Sequence, residues 1–148
     1  MKSLIFIITI ITLLSCNNSN TQVETEVLKV ESQPSISIKN YVEIYCFHGT
    51  RQCETCKNMK ANTKTTLDTY FASQLKDSSV IFKIIDVDDI KNEKIAEKFQ
   101  ATGTALMINK VINGKDSIMD WSDFAFENAN NEAEYITELR TKLQSVLK

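Results

Sequence analysis

Twelve residues, "YCFHGTRQCETC" from Tyr45 to Cys56, hold three of the chain's four cysteines and its only histidine. Thiols and an imidazole this close together point to three chemistries. Cys53 and Cys56, two residues apart, suit a redox pair. Joined by Cys46 and His48, they make a candidate Cys₃His set for Zn²⁺ or a thiolate pair for Cu(I). Cys46 taken alone, inside an apolar run, reads as a small hydrophobe of a buried strand. The compartment weighs between these readings, because thiols stay reduced in a cytosol and pair in an oxidising space.

The N-terminus speaks to that compartment. Met1 to Ser15, "MKSLIFIITIITLLS", places one early cation, Lys2, before an apolar run from Leu4 to Leu14. That run is shorter than the roughly 20 residues a membrane span needs and matches the apolar region of a secretory signal. Leu13, Leu14, Ser15 and Cys16 resemble a bacterial lipobox, whose cysteine is lipid-modified and becomes the first residue of the mature chain. The resemblance implies lipidation at Cys16, no redox role for that thiol, and a mature body anchored at a membrane in the cell envelope, on its periplasmic or extracellular side. Residues 1–15 are thus expected to be a signal peptide.

Residues 16–38 follow as the lipidated N-terminus and a tether. The stretch "NNSNTQVETEVLKVESQPSISI" is polar and includes Pro34, the only proline. Such a composition buries too little apolar surface to offset its ordering entropy. The folded body is expected over residues 39–148, enough for one small core. A net charge of −2 without a basic cluster offers nucleic acid no electrostatic foothold. With only three glycines and no phosphate-binding loop among them, the chemistry falls to the cysteine-rich stretch.

Several elements must position that stretch. Tyr41 to Phe47, "YVEIYCF", reads as a strand, and Cys53 to Leu75 as a helix with Met59, Leu67, Tyr70, Phe71 and Leu75 near one face. Val80 to Val87, "VIFKIIDV", has the nearly continuous apolar character of a strand covered on both sides. Asp89 to Gln100 reads as an amphipathic helix. Ala105 to Ile112, then Asn113-Gly114, then "KDSIMDW" predict a hairpin closed by a type I′ turn. A last helix, Glu132 to Leu147, carries Ile136, Leu139, Leu143 and Leu147 as its stripe. The order is βαβαββα.

That order, with Cys-x-x-Cys opening the first helix, resembles the thioredoxin-like fold over about Tyr41 to Lys148. The residues that carry the likeness are Cys53-Glu54-Thr55-Cys56-Lys57 after the first core strand, "DVDD" closing the second, "FQATGTALMI" at the third, and Asn113-Gly114-Lys115. The resemblance implies an α/β fold with a central mixed sheet flanked by helices. It also implies a redox-active Cys53–Cys56 disulfide and no other cofactor. Four positions depart from the family's pattern. Gln52 replaces an aromatic residue, Glu54-Thr55 replace Gly-Pro, Phe47 takes the place of a buried acid, and Ala105 (or Thr104) stands where the family has a cis-proline that faces the cysteines, helps hold substrates and discourages metal binding.

Within a dithiol so placed, the first sulfur stands over unpaired backbone N–H groups and the second lies a turn inward. The helix terminus with Arg51, Lys57 and Lys60 favours the Cys53 thiolate, while Glu54 opposes it. Cys53 is then the attacking thiol and Cys56 the resolving one. His48 is either a partner of the Cys53 thiolate or a loop anchor. Asp86, Asp88 and Asp89 lack the glycine and distal glutamate of a calcium loop and read as strand-end and helix-cap residues. The expectation is a membrane-tethered thiol–disulfide oxidoreductase acting on a protein thiol or disulfide partner of the envelope. The alternative is a Cu(I) or Zn²⁺ binder built on Cys46, His48, Cys53 and Cys56.

Overall fold

The computed structural model describes residues 40–148; residues 1–39, including the expected signal peptide, Cys16 and the expected tether, fall outside the described residues. Its organising element is β1 (Tyr41–His48), in which six consecutive residues, Val42 to Phe47, are buried. A strand can be buried on both faces only when it has neighbours at both edges and layers above and below. β1 has all of these. It pairs in parallel with β2 (Val80–Asp86) and antiparallel with β3 (Ala105–Ile112), which pairs antiparallel with β4 (Lys115–Asp120). The sheet order is β2-β1-β3-β4.

The expected hairpin forms as its sequence requires. Asn113 and Gly114 both take positive φ, 52° and 75°, the combination that lets a two-residue turn match the twist of its strands. β2 differs from expectation: among the described residues it lies at the edge of the sheet, with Lys83 and Ile84 exposed. The reason is Lys83 itself, which interrupts the apolar run and belongs where a charged head can reach water.

The single helix expected over Cys53 to Leu75 is two: α1 (Glu54–Tyr70) and α2 (Ala72–Lys76). Phe71 between them leaves the helical region (φ −128°, ψ 21°) and buries its ring. Tyr70 is on the surface rather than in the core, with the Arg140 guanidinium 4.4 Å above its ring. The inward face of α1 is Cys56, Met59, Asn62, Thr63, Thr66 and Leu67. Its polar members are satisfied: Asn62 donates to the Ala129 carbonyl at 3.0 Å, Thr63 shares a 2.7 Å hydrogen bond with Tyr135, and Thr66 donates to the Asn62 carbonyl at 2.7 Å.

Beyond β2 a 3-10 turn (Ile90–Asn92), capped by the Asp89 carboxylate, leads into α3 (Glu93–Phe99). After β4 a short helix not expected from sequence, α4 (Ser122–Asn128), precedes α5 (Glu132–Val146). The inward residues of α5 are Tyr135, Leu139, Leu143 and Val146, so the stripe is rotated by one residue at each end from the expected one. On one face of the sheet Val42, Ile44, Cys46, Leu106 and Ile108 pack with α1, α4 and α5. On the other, Tyr45, Phe47, Ala105 and Met107 meet Phe99 and Ala101, with the Tyr45 and Phe99 rings 4.5 Å apart. A mixed four-stranded sheet in this order, covered by helices on both faces, is a thioredoxin-like α/β fold.

Candidate active site

Two elements meet at the site: the C-terminal end of β1 and the N-terminus of α1. Between them the loop Gly49–Gln52 is held from the side of β2. The Val87 amide donates to the His48 carbonyl at 2.8 Å, and the Thr50 amide donates to an Asp88 carboxylate oxygen at 2.7 Å. The Thr50 hydroxyl donates to Asp86 at 3.4 Å. Gly49 is small for a local reason, since a Cβ there would stand 3.2 Å from the same Asp88 oxygen. The Thr50 amide bond holds the Asp88 carboxyl below the usual carboxylate range. Asp86, Asp88 and Asp89 are thus loop, strand-end and cap residues, with Asp89 accepting from the Lys91 amide.

The loop delivers Cys53 to the N-cap of α1. Cys53 and Cys56 are joined in a disulfide, with Cα atoms 5.1 Å apart. The Cys53 sulfur accepts a hydrogen bond from the Cys56 amide at 3.1 Å, which satisfies one of the orphan donors at the helix start. The two sulfurs are unequal: Cys53 is exposed, whereas Cys56 is 9% exposed and faces the core. On reduction, the Cys53 sulfur is the one beside both solvent and the positive end of a helix of 17 residues, which favours its thiolate.

The cations named from sequence are placed variously. Lys57 pairs with Glu54 at 3.6 Å, and both are exposed, so each offsets the other near Cys53. Lys60 donates to the Gln52 side chain at 2.8 Å, pinning the residue before the dithiol. Arg51 is exposed on the loop. His48 is half-buried, and its Nδ1 lies 2.9 Å from the Gly49 carbonyl. A carbonyl only accepts, so Nδ1 carries the hydrogen in this contact, which anchors the loop.

Cys46 is not brought to the other cysteines. It is 2% exposed, and burial pushes its thiol up to about 12, a contact with the Thr63 hydroxyl only partly opposing this. Thr63 lies seven residues along α1 from Cys56, about 10 Å of helix. Among the described residues no three His, Cys, Asp or Glu side chains converge as a metal site would require. With Cys53 and Cys56 joined in the disulfide and Cys46 buried at Thr63, the four residues named from sequence, Cys46, His48, Cys53 and Cys56, are not gathered in one cluster in this oxidised form.

Thr104 is half-buried just ahead of β3, and Ala105, the first residue of that strand, is buried in the cluster of Tyr45, Phe47, Phe99, Ala101 and Met107. Ala105 lies opposite Phe47 in the ladder. Leu106, its neighbour, turns both backbone groups the other way, accepting from the Trp121 amide at 2.9 Å and donating to the Ser122 hydroxyl at 3.1 Å. By the alternation of an antiparallel ladder, the Ala105 amide faces β1. A proline at this position would cost a ladder donor.

Sequence reasoning did not single out Thr50, whose role depends on a partner 38 residues away, and it noted Gln52 only as a departure from the family's pattern, without its bond to Lys60 eight residues on. Ile90, within the segment read as an amphipathic helix, is 75% exposed beside the strand end that holds the loop.

Neither a family model nor a curated protein matches the chain. Solved structures similar to it include the following two. One, described as the structure of a malarial protein, is 20% identical with a TM-score of 0.39, over 67% of this chain and 97% of its own. The other, the X-ray structure of Fasciola hepatica thioredoxin, is 21% identical with a TM-score of 0.41, over 70% of this chain and 82% of its own. At these values the likeness adds no weight to the fold, which stands on the strand order, the pairing directions and a Cys-x-x-Cys disulfide at the start of the first helix.

Proposed function

We propose that the protein is a thiol–disulfide oxidoreductase, tethered to a membrane through a lipid on Cys16 and acting on protein partners of the cell envelope. The observation that carries the exchange chemistry is the inequality of the two sulfurs: an exposed Cys53 capping α1, bonded to a Cys56 that faces the core. A bridge closing so short a loop removes little unfolded-state entropy, so stabilisation is a weak reason for it. The tether rests on the lipobox-like residues Leu13 to Cys16.

In the reducing direction, the Cys53 thiolate attacks one sulfur of a partner disulfide. The partner's S–S bond breaks, a Cys53–partner S–S bond forms, and the other partner sulfur leaves as a thiolate. Cys56, deprotonated, then attacks the Cys53 sulfur, closing the internal disulfide and releasing the second partner thiolate. Two electrons pass from the dithiol to the partner, and the two departing thiolates take up protons from water. The oxidising direction is the reverse.

The test is trapping. The full chain, reduced, is mixed with a disulfide-bonded test protein. Cys53→Ser should abolish exchange, and Cys56→Ser should accumulate a mixed disulfide because the resolving thiol is gone. Equal trapping by both variants contradicts the assignment of roles.

A further inference from the structure

Next to the loop that presents Cys53 lies a groove of about 280 Å³ between the end of β2, α3 and the segment that follows α3. Its apolar surface comes from Val87, Ala96 and Ala101, with Ile90, 75% exposed, at its rim. Its charged residues are Asp88, Glu93 and Glu97, and among the described residues no lysine or arginine lines it. In a chain of 17 cations and 19 anions, three carboxylates around one apolar groove, with no cation lining it among the described residues, form a local excess.

Asp88 already holds the loop through the Thr50 amide and Glu93 sits in the first turn of α3, where a helix favours negative charge, but Glu97 is poorly placed for stability alone. Glu93 and Glu97 stand at i, i+4 on α3, where like charges repel, and neither forms an ion pair with a described residue. Glu97 also lies in the last turn of α3, the end where a helix disfavours negative charge. Apolar walls beneath a carboxylate rim fit one side-chain class, a long aliphatic stem that ends in a cation.

The position matters as much as the chemistry. Asp88 is both a wall of the groove and the acceptor for the Thr50 amide. Thr50 is three residues from Cys53, at most about 11 Å of chain. A partner segment bonded to the Cys53 sulfur thus needs only a few extended residues to reach the groove.

Resting on the oxidoreductase reading above, we infer that this groove is the specificity pocket of the exchange site and takes a lysine or arginine of the partner two to five residues from its reactive cysteine. The stem lies along Ile90, Val87, Ala96 and Ala101, and the charged head sits between Glu93 and Glu97. The partner segment is therefore basic beside its cysteine.

The experiment uses the reduced full chain carrying Cys56→Ser, and peptides that each hold one disulfide-activated cysteine with a lysine two, three, four or five residues away. Matched peptides carry norleucine, which keeps the stem and removes the charge. Lysine at the best spacing should react about fivefold faster than norleucine, the scale of one partly screened ion pair. That ratio should fall to near one in the Glu93→Gln/Glu97→Gln variant, and also at about 1 M salt, where the screening length is about 3 Å. A ratio of one at every spacing overturns the inference. So does a ratio unchanged in the double variant, which would assign the preference to the Cys53 thiolate's own pull on the lysine. Hydroxyethyl disulfide, small and neutral, separates the two levels when offered to the wild-type chain. No reaction with it sinks the exchange reading and this inference together, whereas reaction with it and no lysine preference removes the groove alone.

Discussion

Cys53, Cys56 and Cys46 carry the same thiol and differ by what surrounds each sulfur. Cys53 is exposed at a helix start, Cys56 is 9% exposed one turn on, and Cys46 is 2% exposed inside the sheet. Burial raises the Cys46 thiol from 9.0 to about 12, so almost none of it is thiolate at neutral pH. Iodoacetamide on the reduced, folded chain at about pH 8 should therefore modify Cys53 first and leave Cys46 intact, with Cys46 reacting only after denaturation. Peptide mass mapping of each cysteine checks this, and comparable native rates at Cys46 and Cys53 would contradict it. The dithiol was legible in the sequence because its two-residue spacing and its slot after a strand are both local signals. The environment was not, because Lys57 answers to Glu54 and Lys60 to Gln52, and charges along a chain do not reveal their partners.

Elements were legible where a periodicity has one meaning. The hairpin and its Asn113-Gly114 turn follow directly from sequence, since few other pairs of residues accept two positive φ values. β2 was read as covered on both faces because a run of β-branched residues does not show that Lys83 and Ile84 are exposed. α4 was overlooked because seven residues hold too little of a helical period. Glu43, a carboxylate in the otherwise apolar β1, makes sense only across the sheet. It accepts from Tyr45 at 2.9 Å, from Lys83 of β2 at 2.9 Å and from Asn109 of β3 at 3.0 Å. Asn109 in turn donates to Asp116 of β4 at 2.8 Å. Burial by itself would raise the Glu43 carboxyl, but the bonds from Lys83, Asn109 and Tyr45 outweigh it and hold the pKa below its ordinary 4.5. A depressed folded pKa contributes stability that is full above the unfolded value and lost as pH falls through the folded one. The thermal midpoint should thus hold above about pH 5 and fall below about 4.5 more steeply in the wild type than in Glu43→Gln. Glu43→Gln should itself cost about 1–3 kcal/mol near neutrality, because it weakens the bonds to Lys83 and leaves a buried partner underused. Parallel pH profiles for the two proteins would remove Glu43 from the account.

For the molecule as a whole, the βαβαββα order was readable from sequence, and the structure adds the break at Phe71 and the extra helix after β4. What the whole protein does depends also on where it stands, and that rests on the residues before the folded body. If Cys16 is the lipid attachment site, Cys16→Ala should leave the membrane fraction or accumulate as a heavier unprocessed chain. Fractionation together with intact mass decides it, and an unchanged location and mass would contradict the tether.

The claim at the centre is that the Cys53–Cys56 bridge opens and closes rather than holding still. Equilibrating the full chain across a series of glutathione buffers, and counting free thiols at Cys53 and Cys56 by mass after rapid quenching, tests it directly. An exchange site should show one two-electron transition between disulfide and dithiol, with a midpoint above about −300 mV. A bridge that stays closed across the whole series, with a midpoint below that value, would mark a static structural disulfide and contradict the account.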